Sequence, residues 1–110
     1  MATFIKGDVV VVPFPFSDLT NAKRRPALVV ATLTRNDLIL CLITSQLISD
    51  PYTIAVSNND FVTGSLNRDS HIKANRLFTA NDQLIAYKVG TLTSSKINQV
   101  IAKIIQILKG

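Results

Sequence analysis

The chain has 110 residues, of which 47% are hydrophobic, and it carries a formal net charge of +5. This length predicts one domain, spanning residues 1–110, with enough apolar content to bury a core. No apolar run reaches the roughly eighteen residues that would cross a membrane, and the N-terminus has no signal-peptide pattern. We therefore expect a cytoplasmic protein, and the basic charge favours an anionic partner, either nucleic acid or an acidic protein.

The first half of the chain predicts three apolar strands. Asp8–Pro13 is rich in β-branched residues, which is typical of a buried strand. Phe14–Lys23 contains a proline and several turn formers, and it predicts a loop. The second strand, over Ala27–Leu33, opens just after Pro26, and the third covers Leu38–Ile48.

Shorter strands follow. They are expected over Tyr52–Val56, Phe61–Leu66, Ser70–Leu77 and Leu84–Leu92, with Phe61–Leu66 as a brief edge strand. In Ser70–Leu77 the period of two places the polar side chains on one face and the apolar ones on the other. We expect the polar face to carry His71, Lys73 and Asn75.

The last segment predicts an amphipathic helix. Thr93 is a candidate N-cap, and apolar residues recur every three or four positions from Ile97 to Leu108. Several short strands followed by one helix indicate an α+β fold that is mostly β. Because small sheets usually close on themselves to remove their edges, we expect a barrel.

The opening block resembles a known family. GDVVVVPFPFSDL at residues 7–19 and KRRPALVV at residues 23–30 are similar to the start of the PemK/MazF toxins, and the similarity continues through Ile43–Gln46, Asp60–Leu66 and Ser70–Thr79. The resemblance implies an SH3-like barrel of the PemK/MazF/CcdB type that forms a homodimer. It also implies a type II toxin, a sequence-selective endoribonuclease that cuts single-stranded mRNA and is blocked by a cognate acidic antitoxin.

The residue inventory restricts the chemistry of such cleavage. One histidine and one cysteine, Cys41, cannot build a zinc site, and no glycine-rich phosphate loop is present. We therefore expect no metal and no cofactor. The economical route is attack by the 2′-hydroxyl of the RNA, which leaves a 2′,3′-cyclic phosphate and a 5′-hydroxyl. The protein must then stabilise charge on the phosphorane and move protons.

The resemblance assigns the catalytic roles to Arg25 and Thr44. A guanidinium suits a crowded phosphate because its planar fork meets two oxygens at once, and a hydroxyl at a strand end can donate to a phosphate oxygen. Each residue also has a structural interpretation. Arg25 could be a surface arginine at the start of a strand, and Thr44 could simply bond the local backbone.

The remaining candidates are expected to bind RNA through charge, amide groups, hydroxyl groups or stacking. They are Phe16, Lys23, Arg24, Ser45, Gln46, His71, Lys73 and Asn75. Some family members have an arginine and an aspartate where this chain has Lys73 and Asn75, and asparagine cannot act as a general base. His71 could exchange a proton near neutral pH, although a lone histidine on a strand is more often structural.

Two other functions stay open at this stage. One is a non-catalytic toxin of the same fold that inhibits a protein such as DNA gyrase. The other is a plain binding module built on a small barrel.

Overall fold

A computed structural model describes residues 3–14, 23–47 and 49–110. The described part contains seven strands and one α-helix: β1 Asp8–Phe14, β2 Lys23–Thr32, β3 Asp37–Thr44, β4 Thr53–Val56, β5 Phe61–Gly64, β6 Ser70–Asn81, β7 Tyr87–Leu92 and α1 Ser94–Lys109. None of the helices in these ranges is long and apolar enough to cross a lipid bilayer.

The strands form one antiparallel sheet in the order β4-β6-β3-β2-β1-β7-β5. The sheet curls into a half-barrel, and α1 closes it at the C-terminal end of the chain. This arrangement confirms the predicted mostly-β, α+β barrel fold. The predicted edge strand is also confirmed, because β5 is the last strand of the sheet.

Alternation along the strands gives the sheet two apolar sides. The helix side includes Val9, Leu28 and Cys41, which pack with Val100 and Ile104 of α1. The far side carries a separate cluster of Val10, Val12, Ala27, Val29, Leu38, Leu40 and Ala80. Any side chain on β1, β2 or β3 can therefore be placed on the helix side or the far side by its position in the strand.

The C-terminal helix follows the prediction closely. The hydroxyl of Thr93 accepts a hydrogen bond from the backbone N–H of Lys96 at 3.3 Å, which is an N-cap contact. Val100, which belongs to the helix, is fully buried. The ammonium of Lys96 also donates to the carbonyl of Ala55 at 3.0 Å, so the first turn of α1 is tied to β4.

Several strand boundaries differ from those predicted. β2 begins at Lys23, so Pro26 lies inside the strand, opposite Val11 of β1. The ladder between β2 and β3 reaches only to the pair Ala27–Leu42, and the proline therefore sits beyond that ladder. β3 ends at Thr44, β6 runs on to Asn81, and β7 begins at Tyr87 because Asp82–Leu84 form a single turn.

Candidate functional site

Arg25, Thr44 and His71 form a row across three neighbouring strands. Thr44 is the direct partner of His71 in the ladder between β3 and β6. The β2–β3 ladder ends at the pair Ala27–Leu42, and Arg25 and Thr44 each lie two residues beyond that pair, on the same side of the sheet as Ala27 and Leu42. Paired residues such as Thr44 and His71 share one side of the sheet and have Cβ atoms about 4.5–5.5 Å apart. We call Arg25, Thr44 and His71 the Arg25 row.

The row lies on the far side of the sheet, where it continues the far-side cluster to the strand ends. Arg25 is directly opposite Val12 of β1, which belongs to that cluster. The Arg25 side chain is exposed, whereas Thr44 and His71 are half-buried. The guanidinium can thus reach a ligand in solvent, while the hydroxyl and the imidazole lie lower on the surface.

Two further predicted residues share this side of the sheet. Lys23 lies two positions before Arg25 on β2, and Lys73 lies two positions after His71 on β6, so alternation points both of them the same way. Two cations therefore flank the row. Gln46 follows the end of β3 at Thr44, where alternation no longer applies.

The carboxylate of Asp50 lies close to the charge of Lys73. A hydrogen bond from the Thr53 hydroxyl, followed by one from the Tyr52 backbone N–H and by the charge of Lys73, lowers the pKa of Asp50. This carboxylate is therefore ionised at neutral pH and holds the turn between β3 and β4.

The Thr44 hydroxyl already has one local bond. Its Oγ1 accepts the backbone N–H of Gln46 at 3.1 Å. This is the structural role that the sequence left open. Because a hydroxyl that accepts one bond still has its own O–H to donate, the contact orients the group without removing its capacity to bind an anion.

Arg24 and Ser45 lie on the helix side, opposite to the Arg25 row. Both line a cavity of about 520 Å³ at the end of the sheet, together with Arg68, Tyr87 and other residues. The sequence did not single out Arg68 or Tyr87. No local pattern could have done so, because Tyr87 reaches this cavity only through its pairing with Val11 on β1.

Asn75 lies apart from both groups. The regular alternation of β6 holds through Ala74 and then breaks, since the ladder to β3 shifts between the pairs Ile43–Ile72 and Cys41–Leu77. Asn75 instead lines a cavity of about 510 Å³ beside the end of α1. Phe16 is outside the described residues.

Among the described residues, neither the thiol nor a group of possible metal ligands forms a reactive centre. Cys41 is fully buried, and its Sγ donates to the carbonyl of Lys73 at 2.9 Å. Burial raises the pKa of this thiol to about 12, so it stays protonated and unreactive. Within residues 3–14, 23–47 and 49–110, no group of three or more histidine, cysteine or acidic side chains could hold a metal ion.

The family model for the PemK-like, MazF-like toxin of type II toxin–antitoxin systems matches residues 5–108. The chain belongs to this toxin family. No curated protein sequence is significantly similar to this toxin.

Solved structures with the same fold include MazE–MazF from Deinococcus radiodurans in its form III, with 15% identity, a TM-score of 0.80 and 98% of each chain covered. An endoribonuclease in complex with its cognate antitoxin from a mycobacterial species has 17% identity and a TM-score of 0.75, covering 97% of this toxin and 96% of that chain. The toxin MazF-mt6 from Mycobacterium tuberculosis has 18% identity and a TM-score of 0.65, covering 91% and 96%. At these identities the likeness shows the fold.

Proposed function

We propose that this toxin is a sequence-selective endoribonuclease that cuts single-stranded mRNA without a metal ion. The observation that carries the proposal is the Arg25 row, in which Arg25 of β2, Thr44 of β3 and His71 of β6 lie on one side of three neighbouring strands. These three groups match the needs of cleavage by the RNA's own 2′-hydroxyl: a cation, a hydrogen-bond donor and a group that exchanges protons.

In the proposed reaction the 2′-oxygen forms a bond to the adjacent phosphorus, and the bond from phosphorus to the 5′-oxygen breaks. Arg25 binds the non-bridging oxygens as charge grows on the phosphorane, and Thr44 donates to one of them. The 2′-hydroxyl loses its proton and the 5′-oxygen gains one. The products are a 2′,3′-cyclic phosphate and a 5′-hydroxyl.

His71 is the group we assign to the first proton transfer. Lys73 and Asn75 stand where some relatives carry an arginine and an aspartate, and neither side chain provides a carboxylate that could act as a base. The imidazole of His71 lies directly opposite Thr44 and has no hydrogen-bond partner among the described residues. A neutral imidazole can accept the 2′-hydroxyl proton from there.

The remaining candidates would hold the RNA in position. Lys23 and Lys73 flank the row and contact phosphates, and Gln46 contacts a base or a phosphate; Arg24 and Ser45 act on the opposite side of the sheet. The roles of Phe16 and Asn75 stay as predicted from the sequence. In the cytoplasm the toxin would act as a homodimer and be blocked by a cognate acidic antitoxin. The net charge of +5 supports this, as do similar structures that are complexes with antitoxins.

The test is to map cut sites on a long transcript and then compare wild type with Arg25→Ala on an oligonucleotide that spans one site. We expect at least a hundredfold loss of kcat, of the order found when a transition-state charge contact is removed. Arg76→Ala is the matched control, because Arg76 is also an exposed strand arginine but lies outside the row. Arg24→Ala should raise KM more than it lowers kcat.

Three results would contradict the proposal. The first is equal cutting of the oligonucleotide when its cleaved position carries a 2′-deoxy sugar. The second is cutting that stops when EDTA removes divalent ions. The third is a loss below tenfold for Arg25→Ala. Absence of any RNA cleavage, together with inhibition of DNA gyrase supercoiling, would favour the non-catalytic alternative.

A further inference from the structure

The cavity of about 520 Å³ on the helix side has the features of a binding site for one nucleotide. Its volume lies within the roughly 300–1,000 Å³ typical of small-ligand sites. Its floor includes apolar side chains, and its walls carry two guanidiniums, an aromatic ring and several small polar groups. The residues that matter for the argument are Arg24, Ser45, Ser65, Asn67, Arg68 and Tyr87. We call this cavity the Tyr87 groove.

The lining of the Tyr87 groove carries positive charge and no negative charge among the described residues. Neither Arg24 nor Arg68 forms an ion pair or a hydrogen bond through its guanidinium with any described residue. Among the described residues that line the groove, no side chain carries a carboxylate. Two unpaired guanidiniums at one cavity are suited to bind a phosphate between them.

Tyr87 supplies a flat surface for a base. Its side chain is 52% exposed although it belongs to a strand. Pairing with Val11 places it on the same side of the sheet as Arg24, which is opposite Pro13 of β1. Proteins that bind single-stranded nucleic acids combine such an aromatic platform with cations along the backbone path.

The opposite wall of the groove is held in place by specific contacts. The backbone N–H of Leu66 donates to the side-chain oxygen of Asn58 at 3.2 Å. The buried hydroxyl of Ser70 donates to the backbone carbonyl of Arg68 at 2.9 Å. The backbone that presents Arg68 is therefore held next to the start of β6.

The groove is also next to the Arg25 row along the chain. Arg24 and Ser45 are the immediate neighbours of Arg25 and Thr44. Because successive side chains of a strand point to opposite sides, an RNA that crosses the ends of β2 and β3 meets the row on one side and the groove on the other. An acidic peptide could use the charge, but the aromatic platform and this continuity favour RNA.

We propose that the Tyr87 groove binds one nucleotide of the RNA near the cleaved linkage. The base stacks on Tyr87, and its phosphate lies between Arg24 and Arg68. This inference rests on the proposed endoribonuclease function and adds a subsite that would contribute to sequence selectivity.

The test measures binding of an oligonucleotide that spans a mapped cut site and carries a 2′-deoxy sugar there, so that it is bound but not cut. Tyr87→Ala should weaken binding about tenfold, as expected for loss of one base stack, while Tyr87→Phe should stay within about twofold because the ring is kept. Tyr52→Ala is the matched control, since Tyr52 is 40% exposed and lies beside the end of α1. Circular dichroism would confirm that each variant is folded.

Two further measurements locate the contact. Arg68→Ala should reduce the slope of log K against log salt by about 0.7, the value for one phosphate contact with a single strand. In a series of oligonucleotides with one abasic position each, Tyr87→Ala should weaken binding of every oligonucleotide but one. The exception should be the oligonucleotide that lacks the base that stacks on Tyr87.

The proposal is overturned if Tyr87→Ala binds like wild type, if Tyr87→Phe loses as much as Tyr87→Ala, or if Arg68→Ala keeps the salt slope. It is also overturned if these variants weaken binding of polyglutamate but not of RNA, because the groove would then be a protein-docking surface. If wild type cuts RNA but the groove variants bind RNA as tightly as wild type, the groove inference fails and the proposed function stands. If wild type neither cuts nor binds RNA, the proposed function fails with it.

Discussion

Asp8 offers the sharpest test of what holds the sheet together. Its side chain is fully buried and accepts hydrogen bonds from the Ile5 backbone N–H and the Thr91 hydroxyl, each at 2.9 Å. The ammonium of Lys88 lies 3.4 Å from the same carboxylate, but the Lys88 side chain is 44% exposed. One carboxylate thus joins the segment before β1 to β7.

Asp8→Ala should lower the free energy of unfolding by about 3–5 kcal/mol. Each hydrogen bond to a charged group contributes roughly 1.5–3 kcal/mol, and the substitution leaves two donors without acceptors. Lys88→Ala should cost less than about 1 kcal/mol, because solvent and salt screen an exposed ion pair. Since domains of this size are stable by only about 5–15 kcal/mol, Asp8→Ala should remove a large fraction of the total stability.

Urea denaturation followed by far-ultraviolet circular dichroism measures both values. The m-value should be unchanged, so that the shift in midpoint reports stability alone. A loss below about 1 kcal/mol for Asp8→Ala would show that water satisfies the two donors. A Lys88→Ala loss as large as that of Asp8→Ala would show that the ion pair, rather than the hydrogen bonds, dominates.

Two other predictions concern the buried Cys41 thiol and the proposed base His71. Burial raises the pKa of the Cys41 thiol to about 12, so the stability that the buried thiol provides is present below its unfolded pKa and is lost as pH rises from there towards 12. Iodoacetamide at pH 8 should therefore label Cys41 only at the rate of unfolding. Fast labelling of the native toxin, measured by mass spectrometry, would contradict this. His71→Asn should lower kcat by about 10²–10⁴, the contribution typical of a positioned acid or base. A loss of kcat below about tenfold would assign the proton transfer to another group.

The fold could be predicted where the pattern was local. The β-branched run of Asp8–Pro13 and the helix after Thr93 both follow from residues close in sequence, and both are confirmed. Pro26 was interpreted as the start of a strand, yet β2 begins at Lys23 because the chain there pairs with β1. Only that pairing partner, which is remote in sequence, could extend the strand.

The candidate site was predictable only where it depends on residues that are close in sequence. Alternation correctly predicts that His71 and Lys73 share a side. It fails for Asn75, because the irregular ladder between β3 and β6 interrupts the period. The Tyr87 groove depends on β7 pairing with β1 and on a turn that carries Arg68, and neither contact leaves a signal in the local sequence.

The adjacent arginines at the start of β2 have a consequence for how this toxin can change over evolution. A register slip of one residue in β2 would exchange Arg24 and Arg25 between the two surfaces, and it would also exchange Leu28 and Val29 between the helix-side and far-side clusters. Packing of the apolar half of β2 therefore determines which side of the sheet Arg25 faces. Changes in the length of the segment between β1 and β2 cannot turn Arg25 to the other side of the sheet while the apolar half of β2 remains packed.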